Sequence, residues 1–226
     1  MASAEELVKK VEAGAEIEDS KPLEAVATYR DVIFGAGGSD GDSVKAKESA
    51  IDKLSKLYAK LKDAPALRTL LTELRPLFAT VPKAKTAKIV RNIIDILAGV
   101  PGFDDLQVEL CKEQVAWARA EKRTFLRHRV ELRLSGLYLD MKSFQDALKL
   151  IGQLAFEVKK LDDKLLLVDI HLLESKIHYA RRNMPKAKAA LTAARTNANA
   201  IYVPPSLQCV IDLQSGILHA EEKDYK

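Results

Sequence analysis

The sequence is poor in the features that build disulfide frameworks and membrane spans. It has only two cysteines, Cys111 and Cys209, and neither has a CxxC partner. This usage argues against a disulfide-stabilised secreted domain and favours the cytoplasm and nucleus. The N-terminal MASAEELVKK carries acids where a signal peptide needs an apolar core. The longest uncharged run, residues 196–211, contains Asn, Pro, Gln and Ser, so we predict no membrane anchor.

Glycines, aromatic residues and excess charge are also scarce. The 226 residues include ten glycines and 6% aromatics, with a net charge of +4. A mild charge excess with interleaved acids and few aromatics argues against a nucleic-acid partner. One glycine-rich run, residues 35–42, is predicted to be a flexible loop; without a GK[ST] ending or a preceding strand it does not indicate a phosphate site.

What the chain does have is a repeat of about 40 residues. Serines recur at positions 135, 175 and 215, and apolar residues recur at 130, 170 and 210 and again at 137, 177 and 217. Such a period is typical of a repeat protein in which each unit is a helical hairpin. Apolar stripes at helical spacing follow the same register, most clearly over residues 124–140 and 143–159. The sequence therefore predicts an all-α fold of about five hairpins.

The expected helix starts repeat with the core. Ser20, Asp63 and Asn183 each precede a proline by two residues, which is typical of an N-cap followed by proline in the first turn. Ser143 with Asp146 resembles a capping box. Arg75-Pro76 is expected to close the helix that begins after Asp63. Tyr225 falls where the second helix of a hairpin should begin, so we expect the chain to be a piece of a longer protein.

Three stretches carry a more specific resemblance: residues 120–150 (AEKRTFLRHRVELRLSGLYLDMKSFQDALKL), 165–202 and 213–226. They resemble the PCI-type non-ATPase subunits of the 26S proteasome regulatory-particle lid. The resemblance implies a right-handed α-solenoid of tetratricopeptide-like hairpins over residues 1–226, with a PCI/winged-helix module expected beyond residue 226. It also implies contacts with lid subunits, ATPase-ring subunits and a core-particle α-ring subunit, in a bracing role without catalysis.

No catalytic, metal or cofactor site is predicted. His171 and His178 lie seven residues apart without a Cys or carboxylate at ligand spacing, and His178 is the repeat counterpart of Tyr138, which favours packing. The repeating serines sit in no GxSxG motif and are expected to let neighbouring helices approach. We therefore expect neither an enzyme nor a binder of small-molecule substrates. Trp117, the sole tryptophan, is expected in the core, with an exposed interaction site as the alternative.

Basic clusters are the candidate partner surface. Lys85, Lys88 and Arg91 lie three residues apart along one helix, with Lys83 just before them, and Arg181 and Arg182 lie at a turn. A third basic region is formed by residues 119, 122, 123, 127, 129 and 133. Each cluster could be an ordinary solvated surface or could dock on acidic patches of a partner.

Two other functions remain open at this point. One is a tetratricopeptide adaptor that binds peptides, although only Asn92 of the four asparagines lies inside a first helix, where such clamps need asparagine. The other is a PCI subunit of another assembly, the signalosome or a translation initiation complex, which would share the architecture.

Overall fold

The computed structural model describes residues 4–35 and 41–224, and within these ranges the chain forms helices and no strand. The predicted all-α fold is therefore confirmed. The helices, in chain order, are α1 Ala4–Ile17, α2 Pro22–Phe34, α3 Gly41–Lys60, α4 Ala64–Glu73, α5 Arg75–Thr80, α6 Lys83–Ala98, α7 Asp104–Ala120, α8 Thr124–Asp140, α9 Phe144–Leu161, α10 Lys164–Ala180, α11 Met184–Asn199 and α12 Pro205–Glu221. They fall into two compact units, Met1–Leu110 and Cys111–Lys226.

The first unit is built around α3. The helices α1 and α2 pack against each other and on α3, and α3 also packs against α4 and α6. Apolar residues at helical spacing fill the centre, among them Ile33, Leu54, Leu67 and Leu71, each almost fully buried. Burying such stripes on neighbouring helices stabilises hairpins that would be marginal alone.

A close helix approach in this unit depends on a glycine. Gly14 on α1 faces the ring of Tyr29 on α2, which is fully buried. A Cβ at position 14 would lie 2.7 Å from Tyr29 Cε1, closer than van der Waals contact allows. The absence of a side chain at Gly14 is thus what lets the Tyr29 ring pack between the two helices.

The second unit repeats one hairpin. Successive helices from α8 to α12 pack as neighbours, and α10 also packs on both α8 and α12. One apolar cluster joins α9 and α10 through Ile151, Leu154 and Ile170. A second cluster joins α10, α11 and α12, and α11 contributes small side chains to its buried face, including Ala187 and Ala194. Alanines at these positions allow α10 and α11 to lie close together.

Five of the described helices end in the same backbone arrangement. After α3, α7, α8, α10 and α12, one residue adopts a left-handed conformation and the N–H of the next residue donates to a carbonyl five residues back, as Ser143 N does to Tyr138 O at 2.8 Å. This is the Schellman motif. The left-handed residues are Lys62, Lys122, Lys142, Arg182 and Lys223. In the turns after α3, α7, α8 and α10, the donating residue is also the N-cap of the following helix.

Two of the predicted caps are confirmed. Asp63 accepts a hydrogen bond from Ala66 N at 3.1 Å, and Asn183 accepts one from Lys186 N at 3.3 Å. The prediction at Ser20 was wrong, and the one at Ser143 is confirmed only for its position as the N-cap residue of α9. Lys21, not Ser20, is the N-cap of α2, and Ser20 Oγ donates instead to Ile17 O. Ser143 Oγ donates to the Asp146 carboxylate at 2.8 Å, so neither side chain caps the backbone of α9.

Two further expectations need correction. The helix after Asp63 does end before Pro76, but the chain continues in the helical sense through Leu74 into the short α5, because proline is tolerated in a first helical turn. Of the predicted loop at 35–42, Gly41 and Asp42 already belong to α3, and residues 36–40 lie outside the described residues, as does Tyr225. Within the described ranges, no helix combines the length and apolar character needed to cross a bilayer.

Candidate interaction surfaces

The helix α6 presents the first predicted basic cluster. One face of α6 is buried and includes Ile89, Ile93 and Leu97. The opposite face meets water, and Lys83, Lys88 and Arg91 are exposed there. Lys85 is half-buried, and its Nζ pairs with Glu48 Oε2 of α3 at 3.3 Å. In the part of the chain that the structure describes, Lys83, Lys88 and Arg91 form no ion pair, so their charge is available to a partner.

The second predicted cluster lies at the turn from α10 to α11. Arg181 ends α10 and is exposed, and Arg182 is the left-handed residue of the turn. Arg182 Nη1 lies 2.7 Å from Glu221 Oε1 of α12, and Tyr179 donates weakly to the same carboxylate at 3.5 Å. Arg182 therefore joins consecutive hairpins. The structure places this pair in the second unit and the α6 cluster in the first.

The third basic region is partly internal. Arg127 turns inward and pairs with Glu157 near the end of α9, and its Nη1 lies 3.7 Å from the buried carboxylate of Glu131. His128 is buried beside them, with Nε2 3.2 Å from Glu157 Oε2. Arg119 Nη2 approaches Glu131 at 3.5 Å. This ion cluster stabilises the α8–α9 hairpin instead of forming a free basic surface.

Burial and pairing shift the pKa values of the two carboxylates of this cluster in opposite directions. Burial raises the pKa of Glu131, and the neighbouring arginines offset that effect only in part. The hydrogen bond from Arg127 lowers the pKa of the more exposed Glu157. Arg127–Glu131 shows the i,i+4 spacing of a helix ion pair in the sequence, but Glu157 lies 30 residues away, so only the fold reveals the cluster.

A second inter-helix ion pair follows the 40-residue repeat. Arg129 Nη1 on α8 lies 3.3 Å from Asp169 Oδ2 on α10. Burial raises the pKa of Asp169, although Arg129 acts in the opposite direction. Arg119, Arg127 and Arg129 of the third basic region are thus each engaged in an ion pair with another helix of the second unit.

The residues that could suggest catalysis have packing roles. Ser175 Oγ donates to Ala187 O at 2.9 Å, which ties α10 to α11, and accepts from Gln214 Nε2 at 3.5 Å. Ser135 is equally buried and donates to the backbone oxygen of Glu131. His178 is buried, and desolvation lowers its pKa. Among residues 4–35 and 41–224, no group of three or more His, Cys, Asp or Glu side chains could hold a metal ion.

Trp117 is half-buried near the end of α7. The Arg123 guanidinium carbon lies 4.9 Å from the centroid of its ring, at cation–π distance. The tryptophan is thus neither a fully buried core residue nor a freely exposed one. Arg123 is the N-cap residue of α8, and its side chain stacks on this ring and makes no capping hydrogen bond.

The sequence matches one protein family over most of its first two thirds. Residues 7–141 match the family described as 26S proteasome regulatory subunit RPN6 N-terminal domain. A 26S proteasome non-ATPase regulatory subunit 11 homolog from Arabidopsis thaliana is 63% identical over 208 residues, which cover 92% of this chain and 49% of that protein. A probable 26S proteasome regulatory subunit rpn6 from Schizosaccharomyces pombe is 46% identical, with coverage of 89% and 48%. The chain thus spans about half the length of the curated relatives it matches.

A solved structure supports the fold independently of close sequence similarity. The crystal structure of a putative kinesin light chain from Podosopora anserina, with nearly identical TPR-like repeats, aligns with a TM-score of 0.54 at 16% identity, covering 90% of this chain and all of that one. The tetratricopeptide-like character of the hairpins is therefore confirmed. So is the resemblance to a non-ATPase subunit of the proteasome regulatory particle, because the family match covers more than half of the chain. The chain belongs to the family of the N-terminal domain of 26S proteasome regulatory subunit RPN6.

Proposed function

We propose that this chain is the helical-repeat part of a structural lid subunit that braces the regulatory particle of the 26S proteasome on the core particle. Its partners are other lid subunits, ATPase-ring subunits and an α-ring subunit of the core particle, in the cytoplasm and the nucleus. The observation that carries the proposal is the family membership, joined to a row of unpaired cations on α6. Since the chain spans half of its relatives' length, a PCI/winged-helix module beyond residue 226 belongs to the same proposal.

The mechanism is geometric. Hairpins that bury their apolar stripes on their neighbours form stiff elements, and inter-hairpin ion pairs such as Arg129–Asp169 and Arg182–Glu221 hold successive repeats in register. A stiff element that binds two assemblies raises the effective concentration of one near the other, even where each contact is weak. The subunit would thus support ubiquitin-dependent degradation by keeping the ATPase ring seated on the protease core, with no reaction of its own.

Partner contact is assigned to the basic clusters. Lys83, Lys88 and Arg91 project from one helix without internal partners, and Arg181 is likewise exposed and unpaired in the described ranges. Exposed charges of this kind mainly set the rate and orientation of encounter with acidic patches. Lys85 and Arg182, which already pair with Glu48 and Glu221, would have to exchange those partners to take part.

The peptide-adaptor alternative is weakened by a contact of Asn92. A carboxylate clamp needs free asparagine amides in the groove, but Asn92 Nδ2 donates to Asp52 Oδ1 at 2.6 Å. The alternative of a signalosome or translation-initiation subunit is disfavoured by the family match. We propose no role for nucleic acid, membrane, cofactor or small-molecule substrate, because the family and the basic helix account for the surface without them.

Charge reversal on α6 tests the proposal. The full-length protein with Lys88→Glu and Arg91→Glu is expected to weaken association of the regulatory and core particles about tenfold at low salt, since two attractive pairs become repulsive. Native gels run over a series of salt concentrations would measure the fraction of core particles that are bound to a regulatory particle. A matched control, Lys142→Glu with Lys149→Glu, makes the same charge change at two exposed positions of the second unit. Wild-type assembly of the α6 variant at every salt concentration would contradict the assignment.

A further inference from the structure

The two ends of the second unit expose different side chains. One end, called here the aromatic end, contains the α7–α8 turn, the α9–α10 turn and the α11–α12 loop. It carries five large apolar side chains that are 36% to 84% exposed: Phe125, Phe156, Leu161, Leu165 and Tyr202. The opposite end contains the turns after α8, α10 and α12, where Met141 is the one exposed side chain of this kind among the described residues.

Contacts inside the unit bring several of these residues to neighbouring positions. Arg127 of α8 pairs with Glu157 of α9, which joins the first turn of α8, where Phe125 lies, to the last two turns of α9, where Phe156 lies. Arg129 on α8 pairs with Asp169 on α10. Phe125 lies one helical turn before Arg129, and Leu165 lies one turn before Asp169, so Phe125 and Leu165 occupy corresponding faces of adjacent parallel helices.

Large apolar side chains gathered in this way indicate a binding surface. Single exposed apolar residues are common on proteins, but a group of five at one end of a unit is the pattern of an interaction site. Aromatic side chains are also the ones that contribute most to binding when a partner covers them. The α11–α12 loop fits this interpretation, because it presents Tyr202, the most exposed of the five, on a segment that is not helical.

The charges at the aromatic end specify the partner's chemistry. Lys122 lies in the α7–α8 turn, Lys160 at the end of α9 and Arg195 one helical turn before the end of α11; all three are exposed and form no ion pair in the described residues. Lys160 Nζ lies 4.1 Å from the centroid of the Phe156 ring, so a cation and an aromatic face stand together on the surface. Two of the nearby acids are already engaged: Glu157 pairs with Arg127, and Asp163 caps α10 by accepting from Leu166 N.

We propose that the aromatic end binds an acidic segment of a partner protein in which aromatic or aliphatic side chains alternate with carboxylates. Its apolar side chains cover Phe125 and Phe156, and its carboxylates pair with Lys122 and Lys160. A discrete peptide fits better than a bilayer or a nucleic acid, because the exposed acids Glu121 and Asp162 lie at the same end and would repel a uniformly anionic surface. The proposal does not depend on the α6 contacts proposed above.

Selection from a random peptide library can identify ligands of the aromatic end without assuming their sequence. The whole chain is used as bait for a phage-displayed library of 12-residue peptides, and the variant Phe125→Ser/Phe156→Ser is used for counter-selection. The expected result is a family of peptides enriched in Asp or Glu together with Phe, Tyr, Trp or Leu. Because both phenylalanines are exposed, the variant is expected to keep the parent's circular dichroism spectrum and thermal midpoint.

Titration of an enriched peptide then tests each part of the surface by fluorescence polarisation. We expect the serine variant to weaken binding at least about tenfold. Lys122→Glu/Lys160→Glu should weaken it about tenfold at low salt and less at high salt, where charges are screened. Met141→Ser, the matched change at the opposite end, should leave the affinity within about twofold because no bound segment reaches it.

Three outcomes would overturn the proposal. The first is the absence of any peptide whose enrichment is lost in the serine variant. The second is a selected set without acids, or binding that Lys122→Glu/Lys160→Glu leaves unchanged at low salt. The third is binding of the chain to phosphatidylserine vesicles that the serine variant abolishes, which would assign the surface to a membrane. These three measurements do not involve α6. Wild-type proteasome assembly by the α6 variant would therefore contradict the proposed function without changing any of them.

Discussion

The two compact units close their helices differently. In the second unit, the turns after α7, α8, α10 and α12 all have a left-handed cationic residue followed by the same five-residue backbone hydrogen bond. In the described part of the first unit, only the α3–α4 turn has both features, and α6 begins after Pro82 without a left-handed residue. The helices that follow the turns after α8 and α10, namely α9 and α11, begin 40 residues apart, at 144 and 184, whereas α3 and α6 in the first unit begin 42 apart, at 41 and 83. A uniform turn is what keeps the repeat in register.

The units also differ in where they place charge. The first unit keeps its ion pairs near water, as in Arg30–Glu73, whose side chains are each about one-third exposed. The second unit buries part of an ion cluster, since Glu131 is 5% exposed and Arg127 13% exposed. A buried pair is costly to break because the remaining charge has lost its hydration, whereas a surface pair can return to water. The same type of contact should therefore matter more in the second unit.

Arg127→Ala should have the largest effect. It removes the most buried cation beside the Glu131 carboxylate and the hydrogen-bonded cation of Glu157, so we expect the free energy of unfolding to fall by about 3 kcal/mol. Arg30→Ala, the matched change in the first unit, should cost about 1 kcal/mol because Glu73 remains partly hydrated. Urea unfolding followed by circular dichroism would measure both. Equal costs would show that burial of the cluster does not distinguish the units.

Two glycine substitutions should change stability in opposite directions. Gly14→Ala places a methyl group 2.7 Å from the Tyr29 ring and should destabilise the first unit by about 2 kcal/mol. Gly152→Ala, in the middle of α9 with open space around its Cβ position, should stabilise the second unit by about 0.5 to 1 kcal/mol through helix propensity. Hydrogen exchange read by mass spectrometry would locate each change. A stabilising Gly14→Ala would mean that the α1–α2 contact relaxes freely.

Exchanging the left-handed residues tests the turn comparison. Gly102 adopts φ +89° with nothing near its Cβ position, so Gly102→Lys should cost about 1 kcal/mol from backbone strain alone. Lys142→Gly should stabilise the α8–α9 turn by about 0.5 kcal/mol, because relief of the strained φ outweighs the loss of a cation near a helix C-terminus. Thermal melts of the two variants beside the parent would suffice. A destabilised Lys142→Gly would show that the cation matters more than the strain.

The regular parts of the fold could be predicted from the sequence because they depend on local spacing. The bounds expected for α8 match the structure, and the caps at Asp63 and Asn183 form as predicted. The N-cap predicted at Ser20 and the capping-box hydrogen bonds predicted at Ser143 do not form, because a short hydroxyl side chain can bond to several nearby groups and sequence spacing does not show which of them it contacts.

The surfaces were harder to predict, because burial depends on contacts between distant residues. Lys83, Lys88 and Arg91 of the α6 cluster are exposed because the apolar stripe of that helix fixes which face meets water, whereas Lys85 is half-buried beside Glu48. The region around Arg127 has the same cationic composition, yet Glu157 draws its central arginine inward. Likewise, the helical spacing of apolar residues shows that Phe156 lies outside the buried stripe of α9. It does not show that Phe156 lies at the same end of the unit as four other exposed apolar side chains.

The smallest effect we predict is a pH dependence from His178. Its side chain is 8% exposed with no hydrogen-bond partner for Nδ1, and burial, followed by Lys186 and Arg181, lowers its pKa while Glu174 acts against them. The unfolded chain therefore binds a proton more readily than the folded chain. The contribution of neutral His178 to the free energy of unfolding is fully present above about pH 6.5. It is lost as the pH falls through the lower folded-state pKa.

Replacing His178 by tyrosine, the residue at the equivalent position 138, removes this titration. Buried Glu131, whose pKa is raised, acts with the opposite sign, since its protonation on acidification favours the folded state. The difference between parent and His178→Tyr unfolding free energies, measured from pH 7.5 to 5.5, therefore isolates the histidine. As the pH falls, the free energy of unfolding of the variant should rise relative to that of the parent. A difference that stays constant across this range would show that the imidazole becomes protonated in place, and that the α10–α11 turn accommodates the charge.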